Sequence, residues 1–238
     1  NLLKNHSIDL AKIITSFSMF YDLEDPIDFA KSIKQTLHKD GVWIFEQSYL
    51  PFMLKTNSFD TICHEHLEFY SLKQILYILK RAGLKVIALE FNDINGGSIS
   101  VSATHEESLT YNENYERIES ILWDEKNNLK LDSLSTYIDF NDRIVHLKES
   151  LMRLLRDIKQ QGKSISVLGA STKGNVLLQY YGITNEIVDY IGEVNPDKFN
   201  AYTPGTLIPI IDEDKLLSMN PDYLIVLPWH FKDNFIKS

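Results

Sequence analysis

The sequence predicts an α/β protein built as two strand-and-helix units with a helical connector between them. Three observations predict it. Strand-like and helix-like patterns alternate from Ile8 to Thr104. From about Glu106 to Gln161 charged and polar residues dominate, with apolar residues only at helical spacing. At Lys163 a new strand–turn–helix pattern begins. The expected domains are therefore 1–105, 106–161 and 162–238.

Each element has its own signal. Ile8 to Thr15 reads as a strand of apolar and β-branched residues. Asp25-Pro26 starts a helix, with proline at the first helical position and Ile27, Phe29, Ala30, Ile33 and Leu37 on one face. Asp40-Gly41 is read as its end, and Val42 to Phe45 as a short buried strand. Ser71 caps a further helix through Ile75, Leu76, Ile78 and Leu79, which Gly83 ends. Val86 to Phe91 is a strand, Asn95-Gly96-Gly97 a turn, and Ser98 to Thr104 a strand folding back. This succession implies a mostly parallel sheet with an antiparallel edge.

The connector carries Ile118, Ile121 and Leu122, then Ile144, Leu147, Leu151, Leu154, Leu155 and Ile158, a pattern of two or three helices. In the last unit, Ser164 to Leu168 is a strand and Gly169 to Asn175 a turn. Val176 to Tyr181 is a helix, and Ile187 to Ile191 and Tyr223 to Leu227 are further strands. That is the opening of a Rossmann-like half.

Composition narrows the function classes. The 238 residues are 44% hydrophobic and 24% charged, which is globular composition. A net charge of -9 repels phosphate backbones, so general nucleic-acid or anionic-membrane binding is not expected. It leaves room for one anionic small molecule in a local pocket. The apolar runs are too short to span a bilayer. The single cysteine, Cys63, permits no internal disulfide and suits a reducing, cytoplasmic setting.

Chemistry concentrates in the segment Phe59-Asp60-Thr61-Ile62-Cys63-His64-Glu65-His66-Leu67-Glu68-Phe69-Tyr70. A histidine beside a carboxylate suits general-base work, because imidazole titrates near neutrality. His64 and His66 also read as structural residues bonded to backbone carbonyls, or as an H-x-H metal pair that lacks a nearby third ligand. The turn Gly169-Ala170-Ser171-Thr172-Lys173-Gly174-Asn175 follows a strand and opens a helix, where N–H groups and the helix dipole attract a phosphate. It completes neither a P-loop nor a full dinucleotide fingerprint, and a plain strand-to-helix turn is the alternative. Asn195-Pro196-Asp197-Lys198 and Thr203 to Ile210 are turn-rich loops at the expected carboxyl edge of the second unit, where open α/β sheets bind ligands.

Taken in order, four segments resemble the sugar C-methyltransferase family: Phe59 to His66, Asn95-Gly96-Gly97-Ser98, Gly169 to Asn175, and Pro204-Gly205-Thr206-Leu207-Ile208-Pro209-Ile210. Ile13 to Glu46 looks like the fourth strand, following helix and fifth strand of a class I methyltransferase. The likeness covers nearly the whole chain. It implies a partial, Rossmann-like class I methyltransferase sheet, then the connector, then a second Rossmann-like domain that holds a nucleotide-linked sugar. It implies S-adenosylmethionine as cofactor. It also implies an N-terminal zinc module and a glycine-rich cofactor loop, both expected before Asn1. The family's last strand is expected after Trp229-His230-Phe231-Lys232.

The resemblance also implies site roles. His66 is the base beside a sugar ketone, Glu65 orients or polarises, and His64 shapes the pocket. Cys63, Tyr21, Asp22, Tyr49 and Ser98 line the substrate. Gly169, Ala170, Ser171, Thr172, Lys173, Gly174, Asn175, Asn195, Lys198, Pro204, Gly205 and Thr206 hold its nucleotide end. Phe17 and Ser18 contact the cofactor, and no metal is expected at the site. The chain departs from the family pattern at Cys63 (usually tyrosine), Asp22 (often histidine) and Ser100 (often arginine). These positions bear on which sugar and which atom are methylated. O-methylation on the same scaffold stays open, as does a nucleotide-binding or nicotinamide-dependent protein built on the second unit. Against the last, the Gly169 turn lacks the third fingerprint glycine, and no acidic residue is assigned to a ribose.

Overall fold

Residues 9–229 are described by the computed structural model. Ile8 of the first expected strand, the stretch from His230 onward and the side chain of Asn95 lie outside the described residues. Contacts divide the chain into two compact units. One holds residues up to Ser58 together with His64–Tyr137, and the other holds Phe59–Cys63 together with residues from Ile138 on.

The first unit contains β1 (Ala11–Phe17), α1 (Pro26–Thr36), β2 (Leu37–Ser48), α2 (Leu50–Thr56), α3 (Leu72–Ala82), β3 (Leu84–Asn92), β4 (Ser98–His105) and α4 (Tyr115–Asn127). The sheet order is β1-β2-β4-β3. β1 and β2 are parallel, while β4 runs against both β2 and β3. The antiparallel strand thus lies one place in from the edge, and the other three share a direction. The Asn95-Gly96-Gly97 turn brings β4 back alongside β3, which leaves the far edge of β4 free to bond β2.

Helix α1 starts as its sequence predicts, with Pro26 in the first turn and the Asp25 carboxylate accepting the Asp28 N–H at 2.9 Å. It ends at Thr36, earlier than Asp40-Gly41 suggested, and β2 begins at Leu37. Asp40-Gly41 lies in the bulged start of β2, where the register against β1 slips between Ala11 and Ile13. A Cβ on Gly41 would stand 2.8 Å from the Ala11 carbonyl oxygen, so this glycine serves a close strand approach and not a helix stop. Helix α3 matches its signals closely. The Gln74 side chain accepts the Ser71 N–H at 3.1 Å, and Gly83 closes the helix at φ 72°.

The core on one face of this sheet is aromatic. Trp43 stacks on Phe45 with centroids 4.3 Å apart, and Trp43 Nε1 donates to Ser16 Oγ at 3.0 Å. Glu125 of α4 is buried, and its carboxylate accepts from the Tyr49 hydroxyl at 2.6 Å and the Leu72 N–H at 2.7 Å. It therefore caps α3 from a neighbouring helix, satisfying an orphan N–H of the first turn.

Helix α5 (Leu134–Gln160) begins in the first unit and belongs to the second from Ile138. Beyond it come β5 (Ile165–Leu168), α6 (Thr172–Tyr181), β6 (Ile191–Glu193), β7 (Ile210–Asp212), α7 (Glu213–Ser218) and β8 (Tyr223–Val226). All pairings in the order β7-β6-β5-β8 are parallel. Met152, Leu155 and Ile158 of α5 pack with Ile165, Val167, Leu178 and Ile191 to make its core. Two boundaries differ from the sequence reading. The strand expected over Ile187 to Ile191 sits at Ile191–Glu193, and α6 begins at Thr172, so Thr172 to Asn175 form the first turn of a helix capped by Ser171. Among the described residues no helix is long and apolar enough to cross a membrane.

Candidate functional site

At the carboxyl end of β1 the chain reverses at Ser18, whose backbone is left-handed at φ 51° and whose N–H donates to the Glu46 carbonyl at 2.9 Å. A short 3-10 turn, Phe20–Asp22, follows. The Tyr21 carbonyl accepts two N–H bonds, from Leu67 at 3.0 Å and Glu68 at 3.1 Å. Those two bonds draw the His-Glu-His segment onto the turn. The His66 ring lies against the Tyr21 ring with centroids 4.3 Å apart and planes at 53°.

The electrostatics agree with this geometry. Burial pushes the Asp22 carboxyl above the usual range, His66 pulls it down, and Glu65 pushes it up. Tyr21, Asp22, Glu65 and His66 are thus one neighbourhood. His66 is half-buried. His64 is different: its side chain is 81% exposed, with Nε2 3.8 Å from a Glu65 oxygen. The Cys63 N–H donates to the Thr61 carbonyl at 3.1 Å, and Cys63 groups with Phe59 in the second unit. The Phe17 ring stands exposed at the end of β1.

Tyr49 and Ser98 are committed to the fold. Tyr49 is 4% exposed; burial, then its hydrogen bond to Glu125, pushes its hydroxyl far above the usual phenol range. Ser98 is buried and donates its hydroxyl to the Ile94 carbonyl at 2.9 Å. Among the described residues no group of three His, Cys, Asp or Glu side chains comes together to hold a metal ion.

In the second unit the expected loops meet at a residue the sequence reading did not single out. Glu193, at the end of β6, accepts the Ala170 N–H at 3.1 Å, the Val194 N–H at 2.9 Å and the Asn195 N–H at 3.1 Å. Lys198 Nζ donates to Glu193 at 3.1 Å and to the Ala170 carbonyl at 2.9 Å. Burial alone would raise the Glu193 carboxyl, but the Asn195 N–H, Lys198 and the Ala170 N–H outweigh it and hold the group below its ordinary value. The signal for Glu193 was an acidic residue ending the second strand of an α/β unit. Placing that strand over Ile187 to Ile191 stopped two positions short of it.

One glycine of this turn is required by its backbone and another is tightly packed. Gly169 has φ +86°, and a Cβ there would stand 2.9 Å from Pro228 Cγ. A Cβ on Gly174 would stand 2.8 Å from Leu227 Cδ1. Ser171 Oγ accepts the Gly174 N–H at 3.0 Å, and Asn195 Oδ1 accepts the Asp197 N–H at 3.0 Å. Thr172 is exposed, while Lys173 and Asn175 are half-buried. Gln179 of α6 donates to the Pro204 carbonyl at 2.8 Å, which ties the loop of Gly205 and Thr206 to the same helix. The Thr206 hydroxyl is buried against that of Thr203, 2.6 Å away.

Comparison with known proteins adds a second line of observation. A family model described as the C-methyltransferase C-terminal domain matches residues 93–238, and one described as a methyltransferase domain matches residues 6–89. The C-methyltransferase NovU of Streptomyces niveus is 28% identical over 227 residues, covering 95% of this chain and 53% of that protein. The chain thus spans about half the length of the curated relative it matches. Among solved structures, an S-adenosylmethionine-dependent methyltransferase from Clostridium acetobutylicum aligns at 14% identity and TM-score 0.34, over 41% of this chain and 59% of that one. The N-methyltransferase NodS from Bradyrhizobium japonicum aligns at 15% identity and TM-score 0.30, over 42% of this chain and 53% of that one.

Proposed function

Because the chain belongs to the C-methyltransferase family, we propose that it is the acceptor-handling part of an S-adenosylmethionine-dependent enzyme that methylates a nucleotide-linked keto-deoxysugar on carbon. The observation that carries this reading is the His66 imidazole, seated on Tyr21 and flanked by the Asp22 and Glu65 carboxylates. His66 takes a proton from the carbon beside the sugar ketone. The electron pair left behind is the enolate, the nucleophile that would take the methyl group as the sulfur–methyl bond of the donor breaks and its electrons stay on sulfur. The Asp22 and Glu65 carboxylates set negative charge beside the ring that takes this proton. Tyr21 holds the ring at a fixed tilt, so the base is positioned before the sugar arrives.

S-adenosylmethionine, when bound, supplies the electrophilic methyl group. Phe17 offers an exposed flat ring, and Ser18 turns the backbone away from the strand end, a combination that fits one side of a nucleoside. These two residues would hold the cofactor from this chain. In the second unit, the Ser171-capped start of α6 together with Lys173, Asn175 and the Gly205 loop would hold the sugar's diphosphate. Support comes from the dipole at that helix start and from small residues that let N–H groups approach an anion.

The test uses the full-length enzyme and a nucleoside-diphosphate-linked keto-deoxyhexose. His66→Ala should lower kcat by about 10²–10⁴ while calorimetry still detects S-adenosylmethionine binding. It should also abolish exchange of solvent deuterium into the carbon beside the ketone. Near-normal turnover in the variant would remove His66 from the mechanism. Turnover by the wild type without any such exchange would favour methylation on oxygen instead.

A further inference from the structure

Gln47 and Tyr70 carry buried polar atoms that the fold leaves bare. Gln47 is 1% exposed and Tyr70 is 4% exposed. Neither amide atom of Gln47 has a hydrogen-bond partner among the described residues, and nor does the Tyr70 hydroxyl. Buried polar atoms are almost always paired, so Gln47 and Tyr70, together with the Ser48 hydroxyl in the same state, call for a reason.

Their place in the fold supplies one. Alternation along β2 puts Gln47 on the buried face shared with Trp43 and Phe45, at the carboxyl end of the strand. Tyr70 forms a parallel bridge with Tyr49, two residues beyond Gln47. Phe20 packs against Phe45 at 5.1 Å and against Tyr70 at 5.6 Å between centroids. The next residue, Tyr21, carries the His66 ring. Gln47 and Tyr70 thus both belong to the carboxyl end of β2, where α/β sheets receive ligands, and Phe20, which packs on Tyr70, is next in sequence to the residue that carries the candidate base.

We propose that Gln47 and Tyr70 are specificity-determining residues that read one hydroxyl group of the acceptor sugar. The inference rests on the sugar-methyltransferase reading above. The Gln47 amide offers both a donor and an acceptor, and the Tyr70 phenol offers both at one atom. A hydroxyl answers that set, because it donates and accepts through a single oxygen. A ketone or phosphate oxygen only accepts, and would leave the Gln47 carbonyl bare. A site of this kind rejects an analogue lacking the hydroxyl by up to about 10⁴-fold, since its polar groups are then buried unpaired.

The experiment compares full-length wild type, Gln47→Leu and Tyr70→Phe. Turnover is followed with a nucleoside-diphosphate-linked keto-deoxyhexose and with its analogue lacking one further ring hydroxyl. Melting is followed without ligand. Each variant should melt at the wild-type temperature or above, because each removes a bare polar group. Each should raise KM for the hydroxylated sugar about tenfold or more and lose most of the preference over the deoxy analogue, with S-adenosylmethionine affinity unchanged. Variants that melt lower and keep wild-type kinetics would overturn the proposal, since the pair would then serve the core. Wild-type turnover that neither variant alters would overturn it alone, whereas a wild type that binds no nucleotide sugar would overturn the functional reading as well.

Discussion

The His66 ring rests on the Tyr21 ring at 4.3 Å, and the backbone carbonyl of the same Tyr21 holds the two residues that follow His66. One residue thus fixes the imidazole twice, through its side chain and through its main chain. The second hold survives any substitution at position 21, so the first can be tested by itself.

Tyr21→Leu should remove the ring contact and keep both backbone bonds. Aromatic contacts of this kind contribute about 0.5–1.5 kcal/mol beyond burial, so kcat should fall roughly two- to tenfold. S-adenosylmethionine affinity should not change. Steady-state kinetics of the full-length enzyme beside isothermal calorimetry checks both.

Asp22→Asn should separate stability from activity. Burial raises the Asp22 carboxyl in the folded chain. A carboxyl whose folded value lies above its unfolded one weakens the fold once ionised, and that cost vanishes at acid pH where both states hold the proton. The variant should therefore melt slightly higher than wild type near neutral pH and equal to it below the ordinary aspartate value of 3.8. Turnover should drop, because His66 loses a flanking negative charge. Melting curves across pH, with kinetics at neutral pH, decide it.

Glu125→Leu should be among the more damaging core changes. It strips the partner from the buried Tyr49 hydroxyl and from the Leu72 N–H at the start of α3. Leaving buried donors bare costs about 1–3 kcal/mol each. Tyr49→Phe alone should cost about 1 kcal/mol, and the double variant should cost less than the sum. Urea denaturation in a double-mutant cycle measures the coupling.

Asp222 and Glu193 make the second unit acid-sensitive. The Lys163 ammonium, then the Ser164 N–H and hydroxyl, hold the Asp222 carboxyl down to about 2, from an ordinary 3.8. Glu193 is also held below its ordinary 4.5. Depressed carboxyls favour the fold above their unfolded values, and that contribution is lost as pH falls through the folded ones. The melting temperature should therefore decline below about pH 4.5, and Asp222→Asn with Glu193→Gln should flatten the decline. Calorimetric scans from neutral pH down to about pH 2 test this.

Capped helices were legible in the sequence because their signals are local. Pro26, Ser71 and Gly83 each act within one turn of chain, and α1 and α3 start or stop where those residues stand. Asp40-Gly41 misled because the demand for glycine comes from the Ala11 carbonyl on a neighbouring strand, which no local pattern reveals. The His66 neighbourhood was legible as a dense motif, whereas its partner Tyr21 came only from family resemblance. Glu193 and Glu125 escaped notice because each earns its place by collecting N–H groups from distant segments. Gln47 escaped for the opposite reason: a lone amide in an apolar strand reads as an ordinary surface position until its burial is known.

The Glu193 carboxylate braces the start of the Gly169–Asn175 turn through the Ala170 N–H. One main-chain N–H of that turn, Ala170's, and two of the Val194–Asn195 stretch converge on that acid with the Lys198 ammonium, which also holds the Ala170 carbonyl, so Ala170 is fastened on both sides. On the proposed reading, a diphosphate arriving there would meet preformed scaffolding and forfeit little entropy in organising it. Lys198, already paired with Glu193, would add scant attraction of its own, and on that reading the grip on a phosphate would fall to the remaining main-chain dipoles and to Lys173.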